Sequence, residues 1–209
     1  MQDRVARRYR FGPPALLFPL FLPLFLISAC ATVNKVEDAQ AAFARGEADV
    51  AAGKFKEAIE RFSEAIALHP KMEAAYYKRG ACRLTIVSND ESKNPRLDLQ
   101  EAIKDFNRSI ALWPLNHDSF YDRGVCYATL AMYREAVKDF QAVLRSSDPD
   151  LLKRAHRKLG LIYQDEYEDM KVEALEHYGK YMELGGEDPD IAKRIKGLRD
   201  SDPKGVGGR

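Results

Sequence analysis

The sequence predicts an all-α fold of about four stacked helix pairs, closed at the C-terminal end by one more helix. Three observations predict it. A frame of alanine, aromatic, small or aliphatic residue and proline occurs in Lys54–Pro70 (KFKEAIERFSEAIALHP), Leu99–Pro114 (LQEAIKDFNRSIALWP) and Tyr133–Pro149 (YREAVKDFQAVLRSSDP). A shorter signature ending in glycine precedes each frame: Phe43-Ala-Arg-Gly46, Tyr77-Lys-Arg-Gly80 and Tyr121-Asp-Arg-Gly124. Third, 45% hydrophobic and 31% charged residues are globular proportions, too apolar for a disordered chain. The formal charge of +1, from 33 basic and 32 acidic residues, argues against a general nucleic-acid binder.

The chain begins with MQDRVARRYR, in which four arginines stand against one acid. Ala15–Ile27 (ALLFPLFLPLFLI) then runs without a polar side chain. As a helix this run is about 20 Å long, short of a hydrocarbon core of about 30 Å. Pro19 and Pro23 interrupt it further. A basic start, a short apolar centre and small residues after it describe a secretory signal peptide, residues 1–29.

Ile27-Ser28-Ala29-Cys30 closes that segment and resembles the lipobox of bacterial lipoproteins. The resemblance implies a diacylglyceryl thioether on Cys30, cleavage just before it and acylation of the new amine. Two or three acyl chains hold a protein stably on a membrane where one does not. The mature chain would then start at Cys30, with residues 30–36 as a lipidated linker. Ala31 departs from the aspartate of the enteric inner-membrane retention signal, so the expected location is the outer membrane, facing the periplasm.

The four helix pairs are expected at 39–70, 73–114, 117–149 and 152–187. Ala58, Phe62 and Ala65 fill the frame first; Ala102, Phe106 and Ser109 second; Ala136, Phe140 and Val143 third. These offsets of four and three lie on one helix face, and proline stops the helix. The glycine that ends each signature lets the two helices of a pair approach closely. Arg157-Lys-Leu-Gly160 opens a fourth pair, whose second helix holds Ala174, Tyr178 and Tyr181. Polar insertions are expected near Ser88–Pro95, Ser146–Asp150 and Asp165–Asp169. Asp188-Pro189-Asp190 offers a capping acid and a proline at the first helical position of a cap over 189–199. Residues 200–209 are expected to form a disordered tail.

The array resembles the tetratricopeptide-repeat family, whose unit is 34 residues in two antiparallel helices. Gly46 and Gly80 are 34 residues apart, Gly80 and Gly124 44, and Gly124 and Gly160 36. The resemblance covers roughly Val36 to Leu184 and implies a right-handed α-α solenoid over 37–199. Asp49 and Arg83 depart from a station that is often tyrosine, and Arg61 replaces the acid seen at Asp105 and Asp139.

No catalytic constellation emerges. His69, His117, His156 and His177 lie far apart in sequence, without a ligand partner at metal-motif spacing. A glycine-rich phosphate loop and a nucleophile elbow are both missing. The expectation is a protein that is not an enzyme, with no metal, no cofactor, no small-molecule substrate and no nucleic acid. Cys82 and Cys126 hold equivalent places in successive repeats, so their backbones should lie about 8–10 Å apart, beyond the roughly 7 Å of a disulfide. Both are read as small buried hydrophobes. Arg79 and Arg123 are expected to pair with Asp105 and Asp139 on the partner helices, at the small value of exposed pairs, about 0–1 kcal/mol.

In the family the first helix of each pair lines a concave groove. The resemblance therefore implies a groove of Phe43, Glu47 and Val50, then Tyr77, Ala81 and Leu84, then Tyr121, Val125 and Ala128, then Arg157, Leu161 and Gln164. Phe43 and Glu47 stand where carboxylate-clamp members carry lysine and asparagine, so a chaperone cofactor of that type is not expected. The implied function is a lipid-anchored scaffold or adaptor in the bacterial envelope that holds a protein or peptide. The alternative is a structural subunit or pilotin-like assembly factor of an outer-membrane, secretion or pilus machine.

Overall fold

The computed structural model describes residues 22–167 and 169–201, and their side chains from Lys35 onward. Most of the predicted signal segment and residues 202–209 of the predicted tail lie outside the described residues. Among the described residues there are nine helices and no strand: α1 (Leu22–Ala51), α2 (Phe55–Leu68), α3 (Glu73–Ser88), α4 (Pro95–Leu112), α5 (His117–Thr129), α6 (Tyr133–Val143), α7 (Pro149–Glu166), α8 (Lys171–Glu183) and α9 (Pro189–Ser201). The expected linker 30–36 is helical, as part of α1, and α9 runs two residues beyond the predicted end of the cap. No helix among the described residues is long and apolar enough to cross a membrane.

Each helix packs mainly on its sequence neighbours, α1 on α2 through to α8 on α9. Beyond these contacts α3 touches α5 and α5 touches α7, which sets the first helices of successive pairs side by side as one wall. This nearest-neighbour pattern is that of a solenoid.

The recurring frame is the core. Ala58, Phe62 and Ala65, their counterparts Ala102, Phe106 and Ser109, and Ala136, Phe140 and Val143 are all buried. Burying one such phenylalanine contributes about 1.5–3 kcal/mol. The glycines of the first helices are what admit these rings. A Cβ on Gly46, Gly80, Gly124 or Gly160 would stand 2.6, 2.9, 2.9 and 2.5 Å from Phe62, Phe106, Phe140 and Tyr178. The fourth pair repeats the joint with a tyrosine.

The loops fall where the polar insertions predict them. Asn94 caps α4, its side chain accepting from Leu97 N at 3.2 Å with Pro95 at the first helical position. Asp148 caps α7 in the same way, accepting from Asp150 N at 2.9 Å. A polar seam joins pairs two and three. Ser109 donates to Glu73 and lies 2.7 Å from Ser119, while Asn116 Nδ2 donates to the same Glu73 oxygen at 2.7 Å.

The C-terminal helix closes the stack. Ile191 and Leu198 are buried against pair four, with Ile195 packed beside them. Asp188 caps α9, its carboxylate accepting from Asp190 N at 2.9 Å. Tyr181 reaches this junction and its hydroxyl accepts from Asp188 N at 3.1 Å. The ends of the apolar stack are thereby covered on this side.

Candidate functional site

The wall formed by α1, α3, α5 and α7 carries the twelve predicted groove positions, and the structure gives them unequal roles. Phe43 is half-buried, 5.4 Å from the Phe62 ring. Glu47 is exposed and reaches Lys78 at 3.5 Å, across the junction of pairs one and two. Tyr77 is half-buried 6.1 Å from Phe106, and Leu84 packs on the same cluster. Val125, Ala128 and Leu161 are half-buried on the larger cluster of pairs three and four.

Three predicted groove residues also make close contacts within the fold. Tyr121 is only 6% exposed, 5.5 Å from Phe140, with the Arg154 guanidinium 4.1 Å from its ring centre. Arg157 donates twice to Asp188, at 2.9 and 2.5 Å, and so ties α7 to the cap of α9. Gln164 accepts from Tyr178 at 2.7 Å and from Arg194 at 3.2 Å. Arg157 and Gln164 thus also tie the C-terminal end of the wall to the cap helix, which supplies partners that a repeat pattern cannot foretell.

Two residues absent from the predicted groove matter more to its charge. Asp122 follows Tyr121 on α5, and Arg154 sits three residues before Arg157 on α7. Burial pushes the Asp122 carboxyl up to about 6; Arg154 and the Tyr77 hydroxyl pull against that, and Asp118 adds to it. Burial, then Asp122 and Asp118, raises the Tyr77 phenol well above its ordinary value. Lys158 is held below the ordinary lysine value by burial, Arg157 and Arg154. Lys158 also lines, with Ala128, Tyr133, Leu161 and Asp165, an open depression of about 190 Å³. That volume is below the roughly 300–1,000 Å³ of small-molecule sites and suits a single side chain.

The arginine–aspartate pairs form as expected but are not exposed. Arg79 reaches Asp105 at 2.6 and 3.0 Å, and Arg123 reaches Asp139 at 2.6 and 2.8 Å. Arg83, at the family's frequent tyrosine station, also donates to Asp105. With these carboxylates 4% and 5% exposed, the low value of surface pairs does not apply. Cys82 and Cys126 are free and buried in different clusters, their thiols pushed up by burial to about 11 and 12. Such thiols are poor nucleophiles.

Among the described residues no three His, Cys, Asp or Glu side chains gather as a metal cluster. One pairing was hidden by its sequence separation of 21 residues: His156 Nδ1 and His177 Nδ1 are 2.8 Å apart across α7 and α8.

Residues 46–83 match a family model described as "TPR repeat", and residues 96–150 match one described as "Tetratricopeptide repeat". Both segments are therefore similar to tetratricopeptide repeats. No curated protein matches the chain. Solved structures carry the likeness further along it. MamA from Desulfovibrio magneticus RS-1, residues 41 to the end, shares 18% identity over 79% of this chain and 86% of its own, with a TM-score of 0.65. The pilF protein of Pseudomonas aeruginosa shares 16% identity over 82% and 72%, with a TM-score of 0.63. YrrB, described as a TPR protein with an unusual peptide-binding site, shares 18% over 85% and 84%, with a TM-score of 0.62. The tetratricopeptide fold is therefore the right-handed α-α solenoid that the repeat pattern predicts. Repeats of this family typically serve as scaffolds for protein interaction.

Proposed function

We propose that this protein is a lipid-anchored adaptor of the bacterial cell envelope. It holds a protein or peptide in the concave wall of α1, α3, α5 and α7 and catalyses no reaction itself. The observation that carries the binding reading is the half-buried apolar face of that wall, Leu84, Val125, Ala128 and Leu161, continuous with the side-chain-sized depression beside Lys158. Half-buried apolar residues flanked by charge form the kind of surface on which a partner's side chains find both area and orientation. The anchoring reading is supported by Ile27-Ser28-Ala29-Cys30 after a basic, then apolar, start. With residues 1–29 removed, 29 basic residues face 31 acidic ones, so the object on the membrane is mildly acidic.

Photo-crosslinking in the native envelope tests the groove. A photoreactive residue at Glu47, Leu84 or Leu161 should capture one partner, whereas at Lys104 or Lys138, exposed on the second helices, it should not. Equal capture from both faces would remove the groove from the function. Lipidation is tested separately: Cys30→Ser should leave an unprocessed or soluble product, and unchanged mass and membrane attachment would refute the anchor. Co-purification in fixed stoichiometry with an envelope assembly, which falls apart on deletion, would favour the structural-subunit reading over the adaptor.

A further inference from the structure

Trp113 and Leu115, in the turn between α4 and α5, are 53% and 68% exposed and have no part in the proposed groove. Hydrogen bonds fix the turn that presents them. The Trp113 amide donates to Ser109 O at 2.8 Å and the Asn116 amide to Trp113 O at 3.1 Å, while the buried Asn116 side chain donates to Glu73 at 2.7 Å. An indole and an isobutyl group, with Pro114 between them, are thereby held outward in water, where covering them would be favourable.

Chain direction sets the proposed anchor on the same edge of the solenoid. Val50 shares a cluster with Phe55 at the start of α2, whereas Ala42 shares one with Ala65 near the end of α2 and Ala75 near the start of α3. The chain before the buried Ala39 therefore leaves the stack at the α2–α3 turn. Glu73, the first residue of α3, is bonded to Ser109 and Asn116 on either side of the α4–α5 turn, so both turns lie on one edge. Cys30 precedes Ala39 by nine residues, about 14 Å as the helix that α1 continues and no more than about 30 Å fully extended. The turn that carries Met132 is at the opposite edge, a further helix length of about 20 Å away. Tryptophan gathers at membrane–water boundaries because its ring is apolar and its N–H finds partners among headgroups. We infer that the edge bearing Trp113 and Leu115 rests on the lipid surface that holds the acyl chains of Cys30, with both side chains in the headgroup region. This contact rests on the lipid-anchored reading of the chain. It stands the helices across the membrane plane rather than along it and leaves the groove open to the side.

Trp113 is the only tryptophan of the chain, so its fluorescence reports this contact without a label. The full chain, processed in a lipoprotein-forming bacterial host, is reconstituted in phosphatidylcholine vesicles with plain or brominated acyl chains, and flotation and emission are measured together. Expected are flotation with the vesicles and about a twofold loss of Trp113 emission in the brominated ones. Leu115→Asp should remove most of that loss while flotation persists. Trp113→Phe combined with Met132→Trp moves the indole to the opposite edge, where bromine should have no effect. A floating chain with equal emission in both vesicles, or equal quenching at both edges, overturns the lipid contact and leaves the anchor standing. A chain that does not float refutes the anchor and the contact with it. Shielding of Trp113 from iodide in native envelopes but not in vesicles would give this edge to a protein and likewise overturn the lipid contact.

Discussion

In repeats two and three an arginine on the first helix reaches a buried carboxylate on the second, Arg79 to Asp105 and Arg123 to Asp139. Repeat one has Arg61 at the station of those carboxylates. Its first helix answers with an acid, Asp49, 3.9 Å away, and Arg45 turns outward to Glu64 at 3.1 Å. The side chains of that second pair are 54% and 43% exposed, against 18% and 5% for Arg79 and Asp105. The apolar joint is nevertheless the same in all three, a glycine under a phenylalanine ring. Packing of alanine, ring and glycine therefore defines the repeat, while the charges that bridge it are interchangeable so long as they stay complementary. Asp49 and Arg61, each a departure from the family pattern alone, are one substitution viewed from two helices.

The contrast is broken hardest by removing a buried acid. Asp105→Ala strands both Arg79 and Arg83 and should cost about 3 kcal/mol, read as a lower midpoint in urea unfolding. Glu64→Ala in repeat one should cost no more than about 1 kcal/mol. Equal losses would mean that burial does not separate the two repeats.

The shared joint should respond alike in both. Gly46→Ala and Gly124→Ala each press a methyl group into a ring that has no room for it, and each should lose about 1–2 kcal/mol net of the helix preference for alanine. A loss in only one of them would show that the joints differ after all.

Asp122, beside the buried pair of repeat three, gives the contrast a pH signature. Its folded pKa of about 6 lies above the ordinary 3.8. Between these values the folded chain holds a proton that the unfolded chain has released, so its contribution to stability rises as pH falls through 6. His177 acts in the opposite sense, since burial and His156 lower it to about 4 and unfolding then takes up a proton below the ordinary 6.5. Measured against Asp122→Asn, which lacks the first group and keeps the second, the parent should gain about 1–2 kcal/mol between pH 7.5 and 5. An unchanged difference across that range would refute the raised carboxyl.

The smallest effect lies in the turns. Gly53 has φ 73° in repeat one, and Ala131 takes φ 59° seven residues after the equivalent glycine in repeat three. A left-handed alanine is strained by about 1–2 kcal/mol, partly offset by its lower freedom when unfolded. Ala131→Gly should therefore stabilise by about 0.5 kcal/mol, and Gly53→Ala should destabilise by a similar amount.

The fold was legible because its determinants are local and periodic. Phe62, Phe106 and Phe140 stand at one offset from alanine, and each meets the glycine of its own first helix. Leu84 and Val125 lie half-buried on the first helices, as their stations in the repeat imply. The partners of Arg157 and Gln164, namely Asp188, Tyr178 and Arg194, are not legible in the repeat pattern, because they involve α9 or the irregular fourth repeat, which follow no periodic frame. Asp122 went unnoticed because its raised pKa comes from burial among three helices rather than from spacing. The histidine pair escaped for a related reason: 21 residues is no metal-motif interval, yet it is the distance that folds one helix back on the next.

The seam of Glu73, Ser109, Asn116 and Ser119 bears on the shape of the whole wall. Apolar surfaces tolerate a few degrees of sliding, because their attraction has no direction. Hydrogen bonds near 2.7 Å do not, since their strength falls steeply with angle. Pairs two and three are thus indexed to one another like teeth on a ratchet, and at the joint between pairs one and two Arg79 donates to Ser63 at 2.9 Å beside the exposed Glu47–Lys78 bridge. Directional bonds therefore fix the curvature of the wall at two successive joints, from the first pair to the third. A partner bound along those repeats would meet a surface whose shape is set before it arrives.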